Sequence, residues 1–254
     1  MKQIRYSLNP SALSTTPDSP DVRYGPPTDA AAPGIRLLPP CAPTKIVCVG
    51  RNYLEHAREL GNEVPLEPLI FLKPPSSLIA SGDAIVYPSL SERVDFEGEL
   101  GIVIGDRARN ISREEALDYI LGYTLCNEGT VRDWLRHGKF NVTQGKNFDR
   151  SGSMGPFIVT ADEIDPRRPM HITVKVNGEV TQDDNTGSMI FSFTDLIAYI
   201  TTFMTIRPAD IIVAGTPVKL GPKADPPRWL KAGDIVEIFS PELGTLRNQV
   251  VDEK

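Results

Sequence analysis

The sequence predicts a mostly β, α+β fold, a mixed β-sandwich or β-roll rather than a doubly wound sheet. Three observations carry that expectation. The 254 residues include 23 prolines, which favour short strands and loops over long helices. Apolar runs of strand length outnumber helical periods, and no strand–helix–strand alternation persists.

From Asn9 to Pro43 the chain is rich in Pro, Ser, Ala and Asp with little periodicity, too little apolar surface to form a core of its own. Residues 1–43 are therefore expected as an N-terminal arm or reduced cap, with Ile35, Leu37 and Leu38 available to pack on the body. The main domain, 44–254, opens with the apolar strand Lys45 to Gly50, followed by helical character over Tyr53 to Leu60. Further strands are expected at Leu69 to Leu72, Ala84 to Tyr87, Glu99 to Ile104, Ile120 to Leu125, Phe157 to Thr160, Ile172 to Val176, Ile211 to Ala214 and Ile235 to Phe239. Helices are expected at Arg113 to Tyr119, with Ser112 and Glu115 spaced as a capping box, and at Phe193 to Thr202.

Composition excludes several functions. A formal charge of −6 without a basic run gives no footprint for phosphate backbones, so nucleic acid is not an expected partner. No apolar run approaches the roughly 20 residues that span a bilayer, and the N-terminus lacks a signal-peptide apolar region, so no membrane partner and a cytoplasmic location are expected. Cys41, Cys48 and Cys126 lack CxxC spacing and read as buried thiols. His56, His137 and His171 lie far apart, which disfavours a histidine zinc site. Whatever metal chemistry this chain carries must run mainly on carboxylates.

The run Asp95-Phe96-Glu97-Gly98-Glu99-Leu100 supplies them. Strand alternation puts Asp95, Glu97 and Glu99 on one side and Phe96, Leu100, Ile102 and Ile104 on the other. Acids two apart repel unless water or a cation relieves them. A solvated edge strand uses acids in the same way to discourage pairing, and the pattern alone leaves both readings open. Glu128, just past another short strand, is a third candidate ligand or a surface acid. An oxygen-only site of this kind suits Mg²⁺, Mn²⁺ or Ca²⁺ rather than zinc. His56 and Glu59, three apart, share a helix face on which a carboxylate can orient an imidazole for proton transfer, or they form an ordinary surface contact. Lys146 lies outside any P-loop pattern, and Thr216 sits at a strand exit where loops present site residues.

Taken in order, Gly50-Arg51-Asn52-Tyr53 with His56 and Glu59, Phe71-Leu72-Lys73-Pro74, Asp95 to Leu100, Gly122-Tyr123-Thr124, Arg132-Asp133, Gly145 to Asp149 and Gly215-Thr216-Pro217 resemble the fumarylacetoacetate hydrolase family. The resemblance runs from about Arg36 to the C-terminus. It implies a mixed β-sandwich roll, a homodimer, and Mg²⁺ or Mn²⁺ held by Glu97, Glu99 and Glu128, with Ca²⁺ as an alternative occupant. It further implies catalytic roles for His56, Glu59 and Lys146, and substrate contacts from Arg51, Tyr53, Lys73, Arg132 and Thr216. Asp95 then falls behind the ligands. Two positions depart from the family pattern: Glu128 replaces the usual Asp, and Leu135 replaces a Gln carried by many members.

The expected substrate is a small 2-oxo or enol carboxylic acid whose enolate is stabilised by the cation. Resemblance over Leu196 to Pro217, and the Pro226-Pro227-Arg228-Trp229-Leu230 insertion, points to an isomerase or decarboxylase of the 2-hydroxyhepta-2,4-diene-1,7-dioate type in the meta-cleavage of aromatic acids. An acylpyruvate or fumarylpyruvate C–C hydrolase, and a metal-binding scaffold without catalysis, are the alternatives.

Overall fold

The computed structural model describes residues 1–8, 21–28, 33–59, 61, 63–137, 141–219 and 229–254. Strands dominate and helices are few. The larger sheet runs in the order Val22–Gly25, Lys2–Ser7, Gly152–Thr160, Ile120–Asn127, Gly98–Ile104, Ile211–Val213, Ile46–Gly50, Leu69–Lys73. Two short strands, Arg36–Leu38 and Leu78–Ala80, pair off this path. The smaller sheet holds Glu179–Asn185, His171–Val176, Ile235–Ser240, Gly244–Asp252 and Ala84–Tyr87.

Alternation explains how one strand serves two cores. Leu100, Ile102 and Ile104 face the apolar cluster shared with Ile172, Val174, Ile238 and Val250 of the smaller sheet. Val103 faces a second cluster on the opposite side, with Ile46, Cys48, Cys126 and Ile211. Gly98–Ile104 is therefore buried along its whole length, and it pairs with Ile120–Asn127 on one side and Ile211–Val213 on the other. The acids at its start do not guard an edge.

Several expectations are revised. The run from Asp95 to Leu100 is not one strand: Val94–Asp95 pairs with Thr130–Val131, and the large sheet resumes at Gly98. Arg113 to Tyr119 does not form an α-helix. Ser112 and Glu115 do cap reciprocally, at 3.1 and 3.3 Å, but only a short 3₁₀ turn, Ala116–Tyr119, follows, because Tyr119 passes directly into the strand that begins at Ile120. The other helices stand at Leu54–Glu59 and Phe193–Phe203, the latter with a full capping box from Ser192 and Asp195. Leu60 lies outside the described residues.

Within residues 1–43, Lys2–Ser7 joins the large sheet beside Gly152–Thr160, and Leu38 is buried. The rest of that stretch at 9–20 and 29–32 is outside the described residues, as is 226–228 of the expected insertion. Among the described residues no helix is long and apolar enough to cross a membrane.

Candidate metal centre

Glu97, Glu99 and Glu128 converge, with one carboxylate oxygen from each lying within 4.8 Å of the others. All three are buried. The backbone sets this convergence. Glu128 N–H donates to the Glu97 carbonyl at 2.8 Å, and Glu97 N–H donates to Asn127 Oδ1 at 3.1 Å. Gly215 N–H donates to Glu99 Oε2 at 2.6 Å. Gly215 holds φ at +104°, and a Cβ there would stand 2.8 Å from Asn52 Cβ, so only glycine delivers that donor. Gly129 is equally confined, since its Cβ would fall 1.7 Å from the Ser151 carbonyl oxygen.

Cations surround the acids in an alternating chain. Lys219 meets Asp95, and Asp95 Oδ2 accepts from Arg132 Nε at 2.9 Å. Arg132 then reaches Glu97 Oε1 at 2.8 Å. Lys146 binds both Glu97 and Glu128 and donates to Thr130 Oγ1 at 2.8 Å. Lys73 Nζ lies 3.2 Å from Glu128 Oε1. The Lys146 ammonium also stands 5.2 Å from the Phe71 ring centre, and that of Lys219 stands 4.2 Å from the Phe96 ring centre.

These neighbours divide the three acids. Burial opposes the charge of Glu97, but Lys146 and Arg132 outweigh it and hold this carboxyl well below its ordinary value. Burial and the carboxylates of Glu128 and Glu97 drive Glu99 well above its own. Glu128 is pushed up to about 7, by burial first, with Lys146 and Lys73 opposing. Glu128 Oε1 is buried and accepts no hydrogen bond. A buried carboxylate oxygen without a donor, inside a cluster whose members repel, is relieved by a divalent cation. The oxygen-only donor set fits a hard ion.

His56 lies on Leu54–Glu59 with Nδ1 3.6 Å from Glu59 Oε2. That exceeds hydrogen-bond length, and Nδ1 is buried without a hydrogen-bond partner. Burial lowers the His56 pKa below 6.5, with Arg132 assisting and the Glu97 and Glu59 carboxylates opposing. The imidazole is thus a neutral base at pH 7. Tyr53 is buried, and burial with the Glu99 and Asp184 carboxylates raises its phenol. Arg51 is half-buried and left-handed at φ 56°. Thr216 Oγ1 donates to the Gly98 carbonyl and accepts from Gln182 Nε2, both at 2.9 Å.

Three groups here were not anticipated from the sequence. Gln182 comes from the smaller sheet and also accepts from Gly98 N–H at 3.1 Å. Thr130 bonds Glu97 Oε2 at 2.7 Å. Lys219 follows Thr216 by three positions, and a cation two residues after the Gly215-Thr216-Pro217 turn was the one available signal.

The family model described as fumarylacetoacetate (FAA) hydrolase C-terminal matches residues 45–251. The chain is 42% identical over 217 residues to the mitochondrial oxaloacetate tautomerase FAHD2B of Homo sapiens, covering 85% of this chain and 69% of that protein. A 5-carboxymethyl-2-hydroxymuconate delta-isomerase from Mycobacterium smegmatis superposes with a TM-score of 0.80 at 32% identity, covering all of both chains. Fumarylpyruvate hydrolase from Pseudomonas aeruginosa, solved in complex with Mn²⁺ and pyruvate, gives a TM-score of 0.76 at 30% identity, over 86% of this chain and 92% of that one.

Proposed function

We propose, because this chain belongs to the fumarylacetoacetate hydrolase family, that it is a divalent-metal-dependent enzyme interconverting keto and enol forms of short 2-oxo dicarboxylic acids, with oxaloacetate the first substrate to test. The observation that carries the reading is the buried Glu97, Glu99 and Glu128 cluster with a neutral imidazole at its side. The named tautomerase relative supports the choice of substrate.

Glu97, Glu99 and Glu128 would hold Mg²⁺ or Mn²⁺, which would supply Lewis-acid stabilisation of negative charge developing on the substrate. The protein's own groups do the rest. His56, whose pKa burial lowers, takes the proton from C3 and returns it to oxygen, and Glu59 orients the ring once the 3.6 Å gap to Nδ1 closes to hydrogen-bond length. Lys146 and Arg132 bring positive charge to where the enolate oxygen develops. Thr216, released from Gly98, and Arg132 hold carboxylate oxygens of the substrate, with Arg51 and Tyr53 as further substrate contacts.

Replacing His56 by Asn lowers turnover about 10²- to 10⁴-fold and leaves Mn²⁺ affinity unchanged. In the unsubstituted enzyme the acid limb of kcat/KM falls below pH 6.5, because the lowered pKa keeps the base deprotonated further into acid. A limb above pH 7 contradicts this assignment.

The second reading is isomerisation or decarboxylation of a hydroxymuconate-type dienedioate in aromatic-acid degradation, favoured by the full-length likeness to the mycobacterial isomerase. C–C hydrolysis of a fumarylpyruvate-type substrate is the third. All three develop negative charge on the C2 oxygen of a 2-oxo acid. Assaying oxaloacetate, a 2-hydroxydienedioate and an acylpyruvate with Mg²⁺ and with Mn²⁺ separates them, scoring enol–keto conversion, CO₂ release and C–C cleavage independently. Faster cleavage or CO₂ release than tautomerisation overturns the first reading.

A further inference from the structure

We propose that Lys73 is a positioning residue, a buried clamp that fixes Glu128 and Lys146 relative to each other, rather than a contact for substrate. The inference rests on the metal-site reading above. Lys73 ends the strand Leu69–Lys73 at the margin of the large sheet, and only 1% of its side chain is exposed. Its ammonium donates to the carbonyl oxygens of Glu128 and Gly129, each at 3.2 Å, and to the carbonyl of Lys146. An ammonium has three N–H donors and no acceptor. All three are committed to backbone, and none is left to turn toward a substrate.

The acceptors belong to two separate segments. Glu128 and Gly129 follow the strand Ile120–Asn127, and Lys146 closes the short helix Thr143–Lys146. One segment carries the third acid of the cluster, and the other carries the lysine that bridges Glu97 and Glu128. A buried cation costs desolvation that an aliphatic side chain of the same length avoids. What lysine adds at this position is three donors converging on both loops. Its charge also faces the Glu128 oxygen that accepts no hydrogen bond. Groups that orient a ligand from behind change metal affinity about 10- to 100-fold when lost.

The test is Mn²⁺ titration followed by the electron-spin signal of the free ion. Lys73→Met keeps the length of the side chain and removes the donors. Lys45→Met is the comparison, since it breaks the ion pair with the fully buried Asp210, outside the carboxylate cluster, and destabilises the chain without touching the clamp. The Mn²⁺ dissociation constant is expected to rise at least tenfold in Lys73→Met and stay within twofold in Lys45→Met, with Lys73→Gln recovering part of the loss. Equal constants in the two methionine variants overturn the proposal.

If the Lys73 variants do not fold, amide hydrogen exchange on the unsubstituted, metal-free chain decides. Segments 69–73, 127–131 and 143–147 are expected to exchange as one unit. Exchange of 143–147 more than tenfold faster than 127–131 overturns the clamp. This arm holds even where the unsubstituted chain binds no Mn²⁺, an outcome that would sink the metal reading instead.

Discussion

Glu97→Gln is expected to abolish metal-dependent turnover, lowering kcat/KM on the order of 10³-fold or more, with the fold retained. Glu97 is the acid most firmly held as an anion, with Lys146 and Arg132 outweighing the cost of burial. The amide keeps the shape and can still meet Thr130 and one of the two cations, but it removes the charge that binds the ion. Circular dichroism separates loss of fold from loss of site. A Glu97→Gln enzyme that folds and turns over within tenfold of the original would refute the placement of the metal.

Glu99→Gln carries the opposite sign for stability. Burial and two neighbouring carboxylates raise the Glu99 pKa well above its ordinary value, so above that ordinary value a carboxyl at this position costs the metal-free protein stability, because folding opposes its ionisation. Substitution by Gln removes that cost. The metal-free melting temperature is expected to rise by several degrees, as about 2–4 °C accompanies each kcal/mol in a domain of this size. Stabilisation by Mn²⁺ and turnover are both expected to be lost. A variant less stable without metal than the parent contradicts the electrostatic account.

The same pKa shifts fix the pH dependence. Glu99 and Glu128 bind protons in the folded state that the unfolded chain has already released above its carboxylate pKa of 4.5. Metal-free stability therefore falls as pH rises from 4.5, through about 7 for Glu128, and the raised pKa of Glu99 adds to the fall in the same direction. Glu97 runs the other way, because its depressed pKa adds stability above 4.5 that is lost as pH falls. Saturating Mn²⁺ is expected to flatten the loss between pH 4.5 and about 7, since the cation displaces those retained protons. Thermal melts from pH 5 to 9, with and without Mn²⁺, measure the difference.

How far these residues could be read beforehand follows from the range of the interactions. Glu97 and Glu99 were legible because two acids at strand spacing on an apolar run are a local pattern. The two-sided burial of Gly98–Ile104 was not, because it depends on partners brought from Ile46–Gly50, Ile211–Val213 and the smaller sheet. Gln182 lies 84 residues from the Gly98 amide it accepts from, on the strand Glu179–Asn185, whose polar composition hides it from a hydrophobic pattern. Lys2–Ser7 escaped for a similar reason: it buries Arg5 alongside Ile4, and a strand with a buried arginine breaks the apolar alternation that marks strands. The break at Phe96 and Glu97 is a turn of the backbone toward Asn127 and Glu128, and the glycine that follows, Gly98, is its one local mark.

The most direct test of the central claim is exchange of the C3 protons of oxaloacetate in deuterated buffer, followed by NMR with Mg²⁺ bound. The purified protein is expected to accelerate exchange only when the metal is present, with acceleration lost in both Glu97→Gln and His56→Asn. Exchange at the uncatalysed rate in the presence of saturating Mg²⁺, or acceleration that survives chelation and the loss of Glu97, would contradict it.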